Sequence, residues 1–192
     1  MAAWIEMISD QDASKELTEI LNLARTPHGT VDNVMRVHSL RPNTMKGHVI
    51  LYRAALHDEA NSIPMWFQET VSSYVSILND CAYSLTNHWK NAVHLIDDTE
   101  KAAKIETALW AKSPQNYFNG AELAMLQYTQ KLTLDPRDMV QADVRSLKDC
   151  EVDGSTILEL NQIVGYFNYA NRLLNGLGVT TDGDTVGFYK SE

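Results

Sequence analysis

The chain has 192 residues, with 16 Lys and Arg against 25 Asp and Glu and a formal net charge of -9, a length at which one domain buries a sizeable core without staples. The acidic balance and the lack of a basic stripe argue against a nucleic-acid partner and favour a small molecule or a protein. Two cysteines, Cys81 and Cys150, are too few for a disulfide framework, no signal segment or membrane-spanning run stands out, and the reducing cytoplasm is the expected compartment.

Prolines fall only at Pro27, Pro42, Pro64, Pro114 and Pro136, each where a 3.6-residue apolar pattern breaks, so they read as punctuation between helices. The first predicted helix runs from Ser14 to Ala24, with Leu17, Ile20, Leu21 and Ala24 on one stripe. The next spans Pro42 to His57. Pro64 to Leu78 follows, and Asn79-Asp80 reads as the N-cap pair of a helix beginning at Cys81. Another starts at Asp98-Thr99 and ends before Ser113-Pro114, and Asn119 to Leu134 and Arg137 to Lys148 supply two more. The last, Ser155 to Leu174, is expected to be capped by Ser155 and stopped by Gly176 and Gly178. Its apolar residues extend nearly all the way round, which calls for a place in the middle of the bundle or in a subunit interface. Strands are hard to find. The expected architecture is all-α, a single-domain helical bundle over residues 1–179, with residues 180–192 as a C-terminal arm.

The segment Glu69 to His88, ETVSSYVSILNDCAYSLTNH, is where reactive side chains fall at helical spacing. With Asn79 as N-cap, Cys81 is the second residue of its helix, where free N–H groups and the positive end of the macrodipole favour a thiolate and lower its pKa. Ser84 and His88 project from roughly the same face. Cys81 and His88 lie about 10 Å apart along the axis, so a relay between them needs the Ser84 hydroxyl, a water, or both. Glu69 would orient or charge His88 if the two helices fold as an antiparallel pair. The alternative is structural: Cys81 a buried small hydrophobe, His88 a hydrogen-bonded core residue and Glu69 a surface acid.

The order Glu, eleven residues, Cys-x-x-Ser-x-x-x-His resembles the motif of the AhpD-like family in the carboxymuconolactone decarboxylase superfamily, which has Cys-x-x-Cys in place of Cys-x-x-Ser. Glu69, Cys81 and His88 match that motif, and Ser84 stands where the second cysteine belongs. Val75-Ser76, Tyr83, LTLDP (Leu132 to Pro136), DVRSL (Asp143 to Leu147) and NYANRLLNGLGV (Asn168 to Val179) extend the resemblance, toward its peroxidase-related branch, over nearly the whole chain. It implies an AhpD-like bundle that assembles into trimers or hexamers, with no metal and no organic cofactor. It also implies a thiol-dependent, peroxidase-like oxidoreductase with Cys81, Ser84, His88 and Glu69 as its site.

Ser84 cannot form the family's intramolecular disulfide, and Asn87 stands where that branch often has a histidine. If Cys81 attacks a peroxide, its sulfenic acid must be reduced by an external thiol. Two other readings stay open: a binding homologue without redox cycling, and a non-redox enzyme in which Glu69 and His88 act as base and acid on a small lactone or keto acid.

Cys150, flanked by Asp149, Glu151 and Asp153 at a helix C-terminus, is expected to be inert. His28, His38, His48, His57 and His94 show no metal-binding spacing and are assigned no role. Asn168 and Asn171 are expected to hydrogen-bond within the bundle or across subunits. The apolar circumference of the last helix, with Ile157, Leu158, Ile163, Val164, Phe167, Leu173 and Leu174, supports a homo-oligomer.

Overall fold

Capping side chains and prolines set the helix ends in this computed structural model, which describes residues 1–189. The helices are α1 (Lys15–Leu23), α2 (Asn33–Arg36), α3 (Pro42–Leu56), α4 (Met65–Leu78), α5 (Ala82–Ile96), α6 (Thr99–Trp110), α7 (Gly120–Leu134), α8 (Gln141–Asp149) and α9 (Gly154–Leu177). Short 3-10 turns lie at Pro114–Asn116 and Pro136–Asp138, and no strand occurs among the described residues. The Ser14 side chain caps α1 at the Leu17 N–H, and Asp98 caps α6 at the Lys101 N–H. The cap of α9 is Asp153, which accepts from the Thr156 N–H at 2.9 Å. The expected cap Ser155 lies inside the helix, since Asp153 satisfies the amide first. At the other end Gly178 takes φ +57, and a Cβ there would collide with the Trp4 ring.

Two further expectations change. The helix expected over Arg137–Lys148 breaks into the Pro136–Asp138 turn and α8, because the Asp143 carboxylate binds the Val140 N–H and starts the helix there. The four-residue α2 carries too little pattern to be seen in the sequence.

α4 is buried on every side: from Phe67 to Leu78 each residue is inside, including Gln68, Glu69, Thr70, Ser72, Ser73 and Ser76. Hydroxyls make this possible by bonding back along the helix, Thr70 to the Trp66 carbonyl, Ser72 to Gln68, Ser73 to Glu69 and Ser76 to Ser72. α4 packs against α5, α7 and α9 in the main core, where Phe67, Val71, Tyr74, Leu126, Leu160 and Phe167 meet. Each such side chain contributes about 1.5 to 3 kcal/mol on burial.

α1, α2 and α3 form a smaller layer with its own core of Leu17, Leu21, Met35, Met45 and Val49. α9 touches α3, α4, α5, α7 and α8 within the one chain. Ile157, Ile163, Val164, Phe167 and Leu174 are all buried, and Leu158 stays exposed. Most of the apolar circumference that supported an oligomer is therefore covered inside the chain, with Leu158 left outside and Leu173 half-buried. Asn168 ties α9 to α7 through Thr133 and to the end of α4 through Asn79. No helix among the described residues is long and apolar enough to cross a membrane.

Candidate functional site

A three-residue turn builds the site. Asn79 closes α4, Asp80 takes the left-handed conformation at φ 50, and the Cys81 N–H returns to the Ser76 carbonyl at 2.9 Å. A connection this short makes α5 the antiparallel neighbour of α4. His88 thereby comes level with Glu69, and its Nδ1 lies 2.6 Å from Glu69 Oε2. The Asn91 amide donates to the other oxygen, Oε1, at 3.2 Å.

The expectation that Glu69 and His88 meet is met, and Glu69 is a fully buried residue instead of a surface acid, with 0% exposure. An acid so placed takes two donors, which sets His88 with its proton on Nδ1 and leaves Nε2 free for a reacting group. The Phe167 ring meets the imidazole edge-on at 4.6 Å and holds its plane.

The thiol behaves otherwise than expected. Cys81 is itself the N-cap residue of α5, because Asn79 and Asp80 are used up in the turn. It is 1% exposed, packed among Ala3, Val37, Tyr83, Leu174 and Val179. Burial pushes its pKa up, against a weaker downward pull from the Ser84 N–H. The expected lowered pKa is thus reversed. The serine differs too: the Ser84 hydroxyl lies 2.8 Å from that of Ser76 on α4, so its polar partner is Ser76 and not His88, and the expected track from His88 through Ser84 to Cys81 is interrupted.

A cavity of about 480 Å³ opens where the α1–α3 layer meets α5 and α9, a volume suited to a small organic molecule. Ser84 and His88 are on its wall, with Tyr52, Tyr166, Phe167 and Asp32; Glu69 stands behind His88, and Cys81 is not on the wall. The C-terminal segment closes one side, since Gly187 and Phe188 also line the cavity. The Gly187 N–H donates to Asn87 Oδ1 at 3.0 Å and the Phe188 N–H to Asn91 Oδ1 at 2.7 Å. The Phe188 ring stacks on His57, 5.0 Å between centroids. Asn91 accordingly bridges the Glu69 carboxylate and the tail. Asn87, at the position where the peroxidase-related branch often has a histidine, serves as a tail anchor. Residues 190–192 of the expected arm lie outside the described residues.

Sequence reasoning passed over several residues near this cavity. His38 and His48 form a buried pair, Nε2 to Nδ1 at 2.8 Å, and His48 Nε2 continues to the Tyr166 hydroxyl at 2.9 Å. The histidines lie ten residues apart and Tyr166 is on α9, so no local spacing announces them. Asp32 and Asp184 also escaped notice, one before a four-residue helix and the other in the tail. Among the described residues no group of three or more His, Cys, Asp or Glu is placed to hold a metal ion.

No protein-family model matches the sequence, and no curated protein matches it. Solved structures share the fold over almost the full chain. An uncharacterized peroxidase-related protein with an alkylhydroperoxidase AhpD core, from Ralstonia eutropha, superposes with a TM-score of 0.80 at 15% identity, covering 96% of this chain and 94% of that one. A peroxidase-related protein from Silicibacter sp. gives 0.79 at 17% identity, covering 95% and 93%. The debrominase Bmp8 gives 0.74 at 15% identity, covering 95% and 92%. A cysteine-to-alanine variant of that debrominase was solved with 2,3,4-tribromopyrrole. At these identities the likeness establishes the AhpD-like all-α fold.

Proposed function

Given the AhpD-like fold, we propose that this protein is an enzyme in which His88, oriented by Glu69, moves a proton on a small, largely apolar organic substrate held in the cavity. The observation that carries this reading is the 2.6 Å bond from His88 Nδ1 to a fully buried Glu69, with His88 on the cavity wall. A fixed tautomer and a free Nε2 beside a substrate-sized space are what general acid–base catalysis requires. Glu69 does not reach the cavity, so its role is to orient and stabilise the imidazole. His88 alone makes the proton transfer.

A thiol-dependent peroxidase is the second reading. It is favoured by the position of Cys81 at the start of α5, where the Ser84 N–H faces its sulfur, and by the peroxidase-related and debrominase structures that share the fold. In that chemistry Cys81 sulfur takes an oxygen from a hydroperoxide, releasing an alcohol, and two equivalents of an external thiol return the sulfenic acid to the thiol with loss of water.

One experiment separates the two. Wild type, Cys81→Ala and His88→Ala are each assayed by proton NMR on a panel of small lactones, keto acids, phenols and azoles in deuterated water, and with cumene hydroperoxide plus dithiothreitol. Panel turnover that survives Cys81→Ala and disappears in His88→Ala supports the proton-transfer reading. Hydroperoxide turnover that depends on Cys81, with no turnover on the panel, overturns it.

A homo-oligomer, trimer or hexamer, belongs to this proposal on the strength of the fold alone. Sedimentation at micromolar concentration is expected to give a species several times the 21.6 kDa of one chain, and a clean monomer would remove this part of the proposal.

A further inference from the structure

Asp32 lines the cavity, and its neighbour Asp184, which does not, is in the opposite circumstance. Asp184 is supplied with donors: both of its oxygens accept from the Asn33 N–H at 3.0 Å, and Oδ2 also takes the Tyr83 hydroxyl at 2.6 Å. Asp32, the residue before α2, makes no side-chain capping bond. The donors it would ordinarily take are already engaged. The Asn33 N–H goes to Asp184, the Val34 N–H goes to the Tyr83 hydroxyl at 3.1 Å, and the Met35 N–H goes to the Asp32 carbonyl.

The Asp32 carboxyl is left half-buried on the cavity wall and takes no hydrogen bond from the protein; its Oδ1 is sealed inside, so Oδ2 is the oxygen that meets a ligand. A buried polar atom without a partner is uncommon and costs about 1 to 3 kcal/mol. A tail residue has thus taken over a helix cap and freed an acid to face the substrate space. The cavity wall carries Met35, Val49, Phe167 and Leu174 as its apolar part, with Arg25 and Arg53 as its cations.

We propose that Asp32 is the substrate-orienting residue of this cavity, accepting a hydrogen bond from an N–H or O–H group on a compact, otherwise apolar ligand such as a phenol or an azole. This deepens the proton-transfer reading and rests on it for the statement that the ligand is a substrate; the binding itself does not. An acceptor that has no protein partner selects strongly, because a ligand lacking the donor leaves it unpaired, whereas a missing methylene costs little. Burial and the neighbouring Asp184 raise the Asp32 pKa to about 7, so at alkaline pH the unpaired carboxylate holds its charge and its demand for a donor is strongest.

The test compares 2-naphthol with 2-methoxynaphthalene, which differ by the donor and little else, by fluorescence titration at pH 8 with the full chain. Wild type is expected to bind 2-naphthol about tenfold more tightly, as one hydrogen bond to a charged group implies. Asp32→Ala should lose that preference while keeping its affinity for 2-methoxynaphthalene, and His88→Gln should retain the preference. Thermal unfolding serves as the second measurement: Asp32→Ala is expected to melt at or above the wild-type temperature, since a partnerless carboxyl has gone.

Equal affinity for the two probes in wild type, an undiminished preference in Asp32→Ala, or failure of both probes to bind at millimolar concentration would each overturn the assignment. So would a lowered melting temperature of Asp32→Ala, which would make the carboxyl structural. A preference that collapses in His88→Gln and survives in Asp32→Ala would locate the donor's acceptor at His88 and overturn it too. Absence of any His88-dependent turnover in the activity assay, with the probe preference intact, would sink the proton-transfer reading and leave the binding site standing.

Discussion

Glu69→Gln is expected to lower the turnover of the His88-dependent reaction by about 10² to 10⁴-fold, the range associated with a positioned acid or base, while changing KM by no more than a few-fold. The carboxylate accepts from His88 Nδ1 and from Asn91 Nδ2, and an amide of the same shape can accept from only one of them. If the substituted amide turned its oxygen to His88, its hydrogens would face those of Asn91. Asn91 could relieve the clash only by flipping, which would take its oxygen away from the Phe188 N–H that it now accepts. If the amide turned the other way, His88 would be driven into the tautomer with Nδ1 bare and Nε2 protonated. Each outcome leaves a donor unpaired or the imidazole wrongly set, and the stability cost is about 1 to 3 kcal/mol.

Because Glu69 acts through His88, the double variant Glu69→Gln/His88→Ala should be no slower than His88→Ala alone. Losses that multiply would show that Glu69 acts on something other than the imidazole. A merely structural Glu69 would lower melting temperature and leave the turnover of the folded fraction, and the non-additivity, untouched.

The dyad was legible before the fold because its geometry is local. A helix ending at Leu78, a three-residue turn and a helix from Ala82 determine which residues of α5 come level with Glu69. Cys81 was misread for the opposite reason. Its burial is decided by Ala3, Leu174 and Val179, near the two ends of the chain, and the dipole argument for a thiolate takes no account of what the termini bring. Asn87 stands out in the sequence only as a departure from the branch's usual histidine; that it and Asn91 anchor the tail depends on a contact about a hundred residues away in the chain. The serines and threonines of α4 satisfy themselves against the preceding turn, so a segment with many hydroxyls runs through the interior. The covering of α9 followed from its composition, but which helices of the chain do most of it depends on where α3, α4, α7 and α8 lie.

Acidification should move Asp32→Ala and His48→Gln in opposite directions relative to wild type. His48 is 2% exposed, and burial, with His38 beside it, lowers its pKa from 6.5 to about 3. Its facing groups are His38 at Nδ1, the Tyr166 hydroxyl at Nε2 and the edge of Tyr169 at 5.3 Å. The unfolded chain takes up a proton at this histidine below pH 6.5 while the folded protein refuses it, so stability from His48 is present above pH 6.5 and drains away as pH falls toward 3. Asp32 has the reverse sign. With its pKa raised from 3.8 to about 7 by burial and by Asp184, the folded protein holds a proton that the unfolded chain gives up, and stability is present below pH 3.8 and lost as pH rises through 7.

At about 1.4 kcal/mol per pH unit, each effect is on the order of 3 kcal/mol between pH 7.5 and 4.5, and in wild type they largely cancel. Urea unfolding at those two pH values should therefore show Asp32→Ala losing on the order of 3 kcal/mol more than wild type on acidification, and His48→Gln losing less than wild type by a similar amount. The carboxylates away from both sites titrate in all three proteins and drop out of the comparison; His38 loses its His48 partner in one variant and Asp184 its charged neighbour in the other, and both are part of the measured difference. Three parallel stability curves would mean that neither group is held away from its ordinary ionisation, and that the Asp32 carboxyl finds a donor in solution.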